Sequence, residues 1–188
     1  MNTPLIYVVG PSGAGKDSVL DWLRTHLPAK LPIAWAQRTI DRPCTPEGEL
    51  HESVETTQFQ HLLATQAFAM HWTANGHHYG IRHAQLDGLS QGHWIFVNGS
   101  RAYIPQAAAH CPGLTVLHIT ADVQVLEHRL WARGRESLQA IQDRLHRTPP
   151  LQLPPGCNLI EVQNNGSLES SGQQLLVALR TLKNWPAF

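Results

Sequence analysis

One run of seven residues constrains this chain more than any other: Gly10-Pro11-Ser12-Gly13-Ala14-Gly15-Lys16, with the spacing G-x-x-x-x-G-K. It follows Leu5-Ile6-Tyr7-Val8-Val9, an apolar run of the kind buried on both faces of a parallel sheet. It precedes Ser18-Val19-Leu20-Asp21-Trp22-Leu23-Arg24, which has the spacing of an amphipathic helix. Strand, glycine loop and helix in that order make a phosphate cradle. The glycines let consecutive N–H groups turn inward on phosphate oxygens, and the helix N-terminus adds partial positive charge. Lys16 adds a full charge. The spacing therefore predicts nucleotide-phosphate binding by Gly10, Pro11, Ser12, Gly13, Ala14, Gly15 and Lys16, with Asp17 and Ser18 directly behind. A glycine-rich turn with an accidental lysine is the competing reading, and the flanking elements argue against it.

The position after the lysine usually carries Ser or Thr, whose hydroxyl holds Mg²⁺. Here it is Asp17, followed by Ser18. A carboxylate is a stronger magnesium ligand than a hydroxyl, and would repel nucleotide phosphates unless a cation lay between. Asp17 and Ser18 are thus the candidate Mg²⁺ ligands, direct or through water. Asp17 also suits the first turn of a helix, where the dipole favours an acid.

The chain has 188 residues, with 14 Lys and Arg against 14 Asp and Glu. That balance gives no reason to expect a nucleic acid or a membrane surface as partner. One local excess stands out: Arg129, Arg133, Arg135, Arg144 and Arg147 lie close together, either as an anion site or as a solvated helix face. Cys44, Cys111 and Cys157 are odd in number and far apart, which suggests reduced thiols in a cytoplasmic protein. The twelve histidines show no metal-ligand spacing.

Strand and helix patterns alternate, predicting an α/β fold with a largely parallel sheet. Strands are expected at 5–9, 33–37, 68–73, 77–81, 94–97, 114–120 and 158–162. Helices are expected at 16–26, 83–89, 101–110, 123–133, 136–147 and 168–183, and one from a Thr56 or Thr57 cap to 66. Residues 38–55, polar and Pro/Gly-bearing, read as loop. Asn75-Gly76 reads as a hairpin turn.

Taken in order, these segments resemble the guanylate kinase branch of the P-loop kinases. Three further pieces carry the likeness beside the glycine loop. Arg129-Leu130-Trp131-Ala132-Arg133-Gly134-Arg135, with Arg144-Leu145 following, is similar to that family's arginine lid. Gly76-His77-His78-Tyr79-Gly80 is similar to its acceptor-site Tyr-Gly, and Gly48-Glu49 after Arg42 to its acceptor-phosphate loop. The resemblance implies a P-loop NTPase fold of guanylate kinase type, a parallel sheet flanked by helices. Its core would be residues 1–37, 84–122 and 152–188, with an acceptor-binding insert at 38–83 and a lid at 123–151. Two departures matter. Met70 stands where that family's guanine-reading glutamate would be, and Asn98 and Ser100 replace a pair of strand acids.

With those departures, the chain resembles a narrower family, the ribose 1,5-bisphosphate phosphokinases of the carbon–phosphorus lyase pathway. The pieces are Lys16-Asp17-Ser18, Val97 to Tyr103 (Val-Asn-Gly-Ser-Arg-Ala-Tyr), His71-Trp72, Tyr79-Gly80-Ile81 and Gly48-Glu49-Leu50-His51. The resemblance implies transfer of the ATP γ-phosphoryl to the 1-phosphate of ribose 1,5-bisphosphate, giving 5-phosphoribosyl 1-diphosphate, with ATP and Mg²⁺ required. A phosphate acceptor is already largely ionised at neutral pH, its second pKa being about 6. It needs positioning and charge neutralisation more than a base.

Lys16, Arg133 and Arg144 are then the catalytic candidates, with Arg129 and Arg133 on the nucleotide. Arg38, Arg42 and Arg101, with Glu49, His51 and Tyr79, are candidates for the acceptor. The three arginines suit two phosphates through forked donors but are equally ordinary surface residues, and His51 and Tyr79 also suit plain packing. Two rivals stand beside this reading: a nucleoside monophosphate kinase and a non-catalytic interaction module. The missing glutamate counts against the first and the retained Lys16, Arg133 and Arg144 against the second. Small molecules are the expected partners, and homodimerisation stays open.

Overall fold

The computed structural model describes residues 3–44, 51–134, 137–146 and 151–188, without the side chains of Arg144 and His146. In chain order the elements are β1 (Leu5–Val9), α1 (Lys16–His26), β2 (Ile33–Trp35), β3 (Thr39–Ile40), β4 (Glu52–Ser53), α2 (Thr56–Ala64), β5 (Phe68–Ala74) and β6 (His77–Arg82). A 3₁₀ segment (His83–Gln91) leads to β7 (Trp94–Asn98), and a 3₁₀ turn (Arg101–Tyr103) runs into α3 (Ile104–His110). Then come β8 (Thr115–Thr120), α4 (Val123–Ala132), α5 (Leu138–His146), β9 (Asn158–Gln163) and α6 (Leu168–Leu179).

The central sheet has the order β2-β7-β1-β8-β9, with every pairing parallel. All of β1 and β7 is buried, as continuous apolar runs require when both sheet faces are covered. One face packs on α1 and α6 through Ile6, Val8, Phe96, Leu117, Ile119 and Val162. The other carries Leu5, Tyr7, Val9, Ile95, Val97 and Val116, and meets α3 and a second sheet. That second sheet has the order β4-β3-β6-β5, with β5 and β6 antiparallel. Met70 and Ile81 reach from it into the shared cluster, so the two sheets are joined by apolar packing. Its outer side is closed by α2, where Phe59 stacks on Phe68 at 4.7 Å between ring centres.

The parallel α/β architecture agrees with the sequence expectation. Residues 38–55 do not: they include β3 and β4, which pair in parallel. Two-residue strands leave no readable periodicity; Thr39 of β3 donates to Glu52 of β4, which is held in turn by Arg82 of distant β6. The helix at 56 begins after Glu55, not at a threonine cap, and no side-chain cap bond forms there. The expected helix at 101–110 opens with a 3₁₀ turn, because Pro105 at the start of α3 supplies no N–H. The hairpin between β5 and β6 turns at Asn75 and Gly76, both with positive φ, as the dipeptide predicts. No described helix is long and apolar enough to cross a membrane.

α1 and α6 pack with little space between them. The Trp22 indole N–H donates to Glu169 at 2.9 Å, and a Cβ on Gly172 would collide with the Trp22 ring. Gly172→Ala should therefore force the helices apart and cost about 1–3 kcal/mol. The check is urea unfolding, where the midpoint should fall with little change in slope.

Candidate active site

The glycine loop lies at the carboxyl end of β1, where the sheet's central strand is flanked by β7 and β8. In open parallel sheets this is where ligands bind. Gly15 forms the N-cap of α1 in the left-handed region, with φ at 79°, and Val19 donates to its carbonyl at 3.0 Å. A side chain at Gly15 would collide with the Asn164 amide as well as straining the backbone. Lys16 Nζ donates to the carbonyls of Gly10 at 3.0 Å and Pro11 at 3.2 Å, so it lies across the mouth of the loop. Pro11, Gly13 and Ala14 are buried, while Asp17 and Ser18 are exposed in the first turn of α1. Over the loop sits α4. A Cβ at Gly13 would come within 3.2 Å of the Leu130 side chain, and Arg129 Nη1 lies 3.5 Å from the Gly13 carbonyl.

The end of β7 completes this corner. Asn98 Nδ2 donates to Asp17 Oδ1 at 2.7 Å, joining the strand to the first turn of α1. The following loop is pinned from below by Tyr7. Its hydroxyl accepts from the Ser100 N–H at 3.0 Å and donates to the Ser100 carbonyl at 3.3 Å. Burial drives the Tyr7 pKa far up, so this hydroxyl keeps its proton. Gly99 has to be a glycine because a Cβ would collide with the Tyr7 ring. Sequence reasoning missed both Tyr7, which looked like one more strand residue, and Asn164. Neither has a motif, and each acts on residues far away in the chain.

Arg38, Tyr79 and Arg101 come to the same side, where the second sheet meets the ends of β1 and β7. The Arg38 guanidinium lies 5.4 Å from the centre of the Tyr79 ring and acts electrostatically on Tyr7. Tyr79 stacks on Trp72 at 5.6 Å, and Trp72 in turn meets Tyr103 at 5.7 Å. Arg101 starts the turn that ends at Tyr103 and is half-buried, which lowers its pKa. His51 is elsewhere engaged: it is buried, and its Nε2 donates to the Arg42 carbonyl at 2.9 Å. Glu49, Arg135 and Arg147 lie outside the described residues, as does the Arg144 side chain. Arg133 is exposed at the C-cap of α4, one turn beyond Arg129.

Met70 does not stand in an open pocket. It is 1 % exposed and packs with Tyr7, Ala36, Ile81 and Val97 in the cluster that joins the sheets. The position expected to face the acceptor is therefore a core position. Two ionic groups stiffen the same sheet. Arg82 donates twice to Glu52, at 2.7 and 2.6 Å, and the Thr39 hydroxyl adds a third bond at 2.6 Å. Asp41, whose side chain is 4 % exposed, accepts from the His78 backbone N–H at 2.7 Å and the His78 ring at 2.6 Å. Arg82 holds Glu52 below its ordinary pKa. Burial would raise Asp41, but the His78 hydrogen bonds outweigh it and the net direction is down.

No family model matches the chain. It is 42% identical over 179 residues to ribose 1,5-bisphosphate phosphokinase PhnN of Janthinobacterium sp. (strain Marseille), covering 95% of this chain and 39% of that protein. It is also 42% identical to the protein of that name from Pseudomonas fluorescens (strain SBW25), covering 93% and 94% of the two chains. Identity is 38% to a bifunctional ribose 1,5-bisphosphokinase-thymidine phosphorylase of Azorhizobium caulinodans, over 92% of this chain and 25% of that protein. The chain thus spans well under half of the Janthinobacterium and Azorhizobium relatives, and nearly all of the Pseudomonas one. Among solved structures, guanylate kinase from Anaplasma phagocytophilum superposes with a TM-score of 0.65 at 14% identity, over 96% of this chain and 87% of that one. That likeness speaks for the fold alone.

Met70→Glu should bury a carboxylate without a partner and cost about 3 kcal/mol, rather than open a base-reading contact. Denaturant unfolding reads the loss. A separate expectation follows from the two lowered acids. Each stabilises the fold fully above the ordinary carboxylate pKa of about 4 and loses that contribution as pH falls through its lowered value. Glu52→Gln, which removes one of them, should flatten the acid side of a stability–pH profile below about pH 4.

Proposed function

The chain belongs to the ribose 1,5-bisphosphate phosphokinase family, and from that premise we propose that it transfers the ATP γ-phosphoryl to the 1-phosphate of ribose 1,5-bisphosphate. The product is 5-phosphoribosyl 1-diphosphate, made during phosphonate breakdown. The observation that carries this reading is the 42% identity to the Pseudomonas relative along nearly the full length of both chains. The site's chemistry agrees with it. A phosphate oxygen attacks the γ-phosphorus, the bond to the β-phosphate oxygen breaks, and ADP leaves with that electron pair. No proton needs to be removed by a strong base.

The loop N–H groups and Lys16 hold the β- and γ-phosphates. Lys16 reaches the loop carbonyls by a flexible stem, so a phosphate can take over its donors. Mg²⁺ bound at this corner would neutralise phosphate charge, and Asp17 is suited to hold it with Ser18. A single carboxylate with water and phosphate oxygens is a common magnesium donor set. Asn98 fits the same role, because an amide donating to Asp17 orients the carboxylate without adding a second negative charge. Arg129, Arg133 and Arg144 belong to a lid over residues 123–151 that closes on the transferring phosphate. The second sheet, within residues 38–83, holds the acceptor, with Arg38, Arg42 and Arg101 on its two phosphates and Glu49 and Tyr79 around it, while His51, buried against the Arg42 carbonyl, supports the Arg42 segment from behind. The unpaired Cys44, Cys111 and Cys157 suit a cytoplasmic location.

Phosphorus NMR of the protein with ATP, Mg²⁺ and ribose 1,5-bisphosphate tests the reaction. A pyrophosphoryl product on the sugar is expected, and turnover of GMP in its place would favour a nucleoside monophosphate kinase. Lys16→Ala should reduce kcat by roughly a hundredfold or more while thermal stability stays close to wild type. Arg133→Ala and Arg144→Ala should lower kcat with little change in acceptor KM, as for contacts made in the transition state. A rise in acceptor KM alone would instead put them on the acceptor.

A further inference from the structure

Asn164 follows β9 directly, and its backbone N–H donates to the Thr120 carbonyl at 2.7 Å, extending the β8–β9 pairing by one bond. Its side chain is turned underneath the glycine loop, and the residue is 4 % exposed. Nδ2 donates to the Ala14 carbonyl at 2.9 Å, and Oδ1 accepts from the Ser171 hydroxyl at 3.0 Å. Ser171 is itself buried in α6. The Ala14 carbonyl can only accept, so it fixes which end of the amide faces it, and the Ser171 hydroxyl, able to donate or accept, donates to Oδ1 and steadies the amide. Gly15 lies so close to Nδ2 that no side chain fits there.

The direction of one peptide gives this contact its consequence. In a trans peptide the carbonyl and the following N–H point in opposite directions. No peptide bond among the described residues is cis. Holding the Ala14 carbonyl outward on Asn164 therefore holds the Gly15 N–H inward, toward the centre of the loop. A loop can bind phosphate only when its N–H groups converge, and its buried carbonyls then need donors on the outside. We infer that Asn164 is a positioning residue for the nucleotide site, orienting the Ala14–Gly15 peptide for phosphate, and that Ser171 steadies its amide by a hydrogen bond to Oδ1. Asn164 touches neither ATP nor acceptor in this role. The inference rests on the reading of the loop as a nucleotide site and is independent of which acceptor is used.

The test is calorimetric titration of ATP with Mg²⁺ into the wild type, Asn164→Ala, Ser171→Ala and the double variant. Acceptor KM for ribose 1,5-bisphosphate and ligand-free melting temperature are measured alongside. Asn164→Ala should weaken ATP about tenfold, the scale of one lost buried hydrogen bond, and leave acceptor KM within about twofold. Ser171→Ala should weaken ATP about two- to threefold. Because Ser171 acts through Asn164, the double variant should bind ATP no more weakly than Asn164→Ala. Unchanged ATP affinity in Asn164→Ala overturns the inference, as does an equal loss for ATP and acceptor, which marks general loosening. Additive losses overturn the part given to Ser171. Should Asn164→Ala fail to fold, Ser171→Ala decides, and full ATP affinity there overturns the inference. Failure of the wild type to bind ATP overturns the nucleotide-site reading itself. Normal ATP binding without phosphorylation of ribose 1,5-bisphosphate tells only against the proposed acceptor.

Discussion

β1 is hydrogen-bonded along both edges to parallel strands, and the rest of the site depends on that pairing. Val8 is level with Asn98 on β7, and Val9 is level with His118 on β8. Parallel register brings the carboxyl ends of all three strands to one edge of the sheet. The glycine loop leaves β1 there, the Asn98–Ser100 segment leaves β7 beside it, and Asn164 leaves β9 two strands away. None of these segments has much structure of its own. Each is held by a group from another: Asp17 by Asn98, Ser100 by Tyr7, and Ala14 by Asn164. Because those bonds are buried or partly buried, losing one partner would strand the other, which makes the arrangement stiff.

Charge is distributed over this edge sparingly. One carboxylate, Asp17, stands at the start of α1, and the neighbouring strand offers an amide where an acid would add repulsion. The cations are spread more widely: Lys16 across the loop, Arg129 above it, and Arg38 and Arg101 toward the second sheet. Such a division suits the proposed transfer between two polyanions, where attraction has to come from both sides and orientation matters more than proton transfer. The acids of the second sheet are already committed. Glu52 is bound to Arg82 and Asp41 to His78, so these carboxylates stiffen the sheet.

The sheets are joined by an apolar layer, and this explains why Met70 is where it is. A methionine fills irregular space between Tyr7, Ile81 and Val97 without any polar group to satisfy. On the same strand, Trp72 turns to the aromatic group of Tyr79 and Tyr103, which leads toward Arg38. One strand thus contributes to the core at one residue and to the candidate acceptor wall two residues later, as its period of two allows.

Much of the architecture could be read directly from the chain. The glycine loop, its strand and its helix need only local spacing, because backbone conformation and helix polarity are local properties. β1 and α1 have the bounds that the apolar run and the amphipathic pattern predict, and the Asn75-Gly76 turn follows from two residues that tolerate positive φ. Lys16 and Asp17 are candidates for the phosphate side on the same local spacing, and Arg129 on the likeness of its run to a family motif. Tertiary structure alone decided which polar side chains support that loop. Asn164 and Ser171 look like ordinary residues at a strand end and on a helix, Tyr7 like a strand residue, and residues 38–55 like loop. Their roles come from partners far away in the chain, and a hydrogen bond across such a separation leaves no periodicity in the sequence.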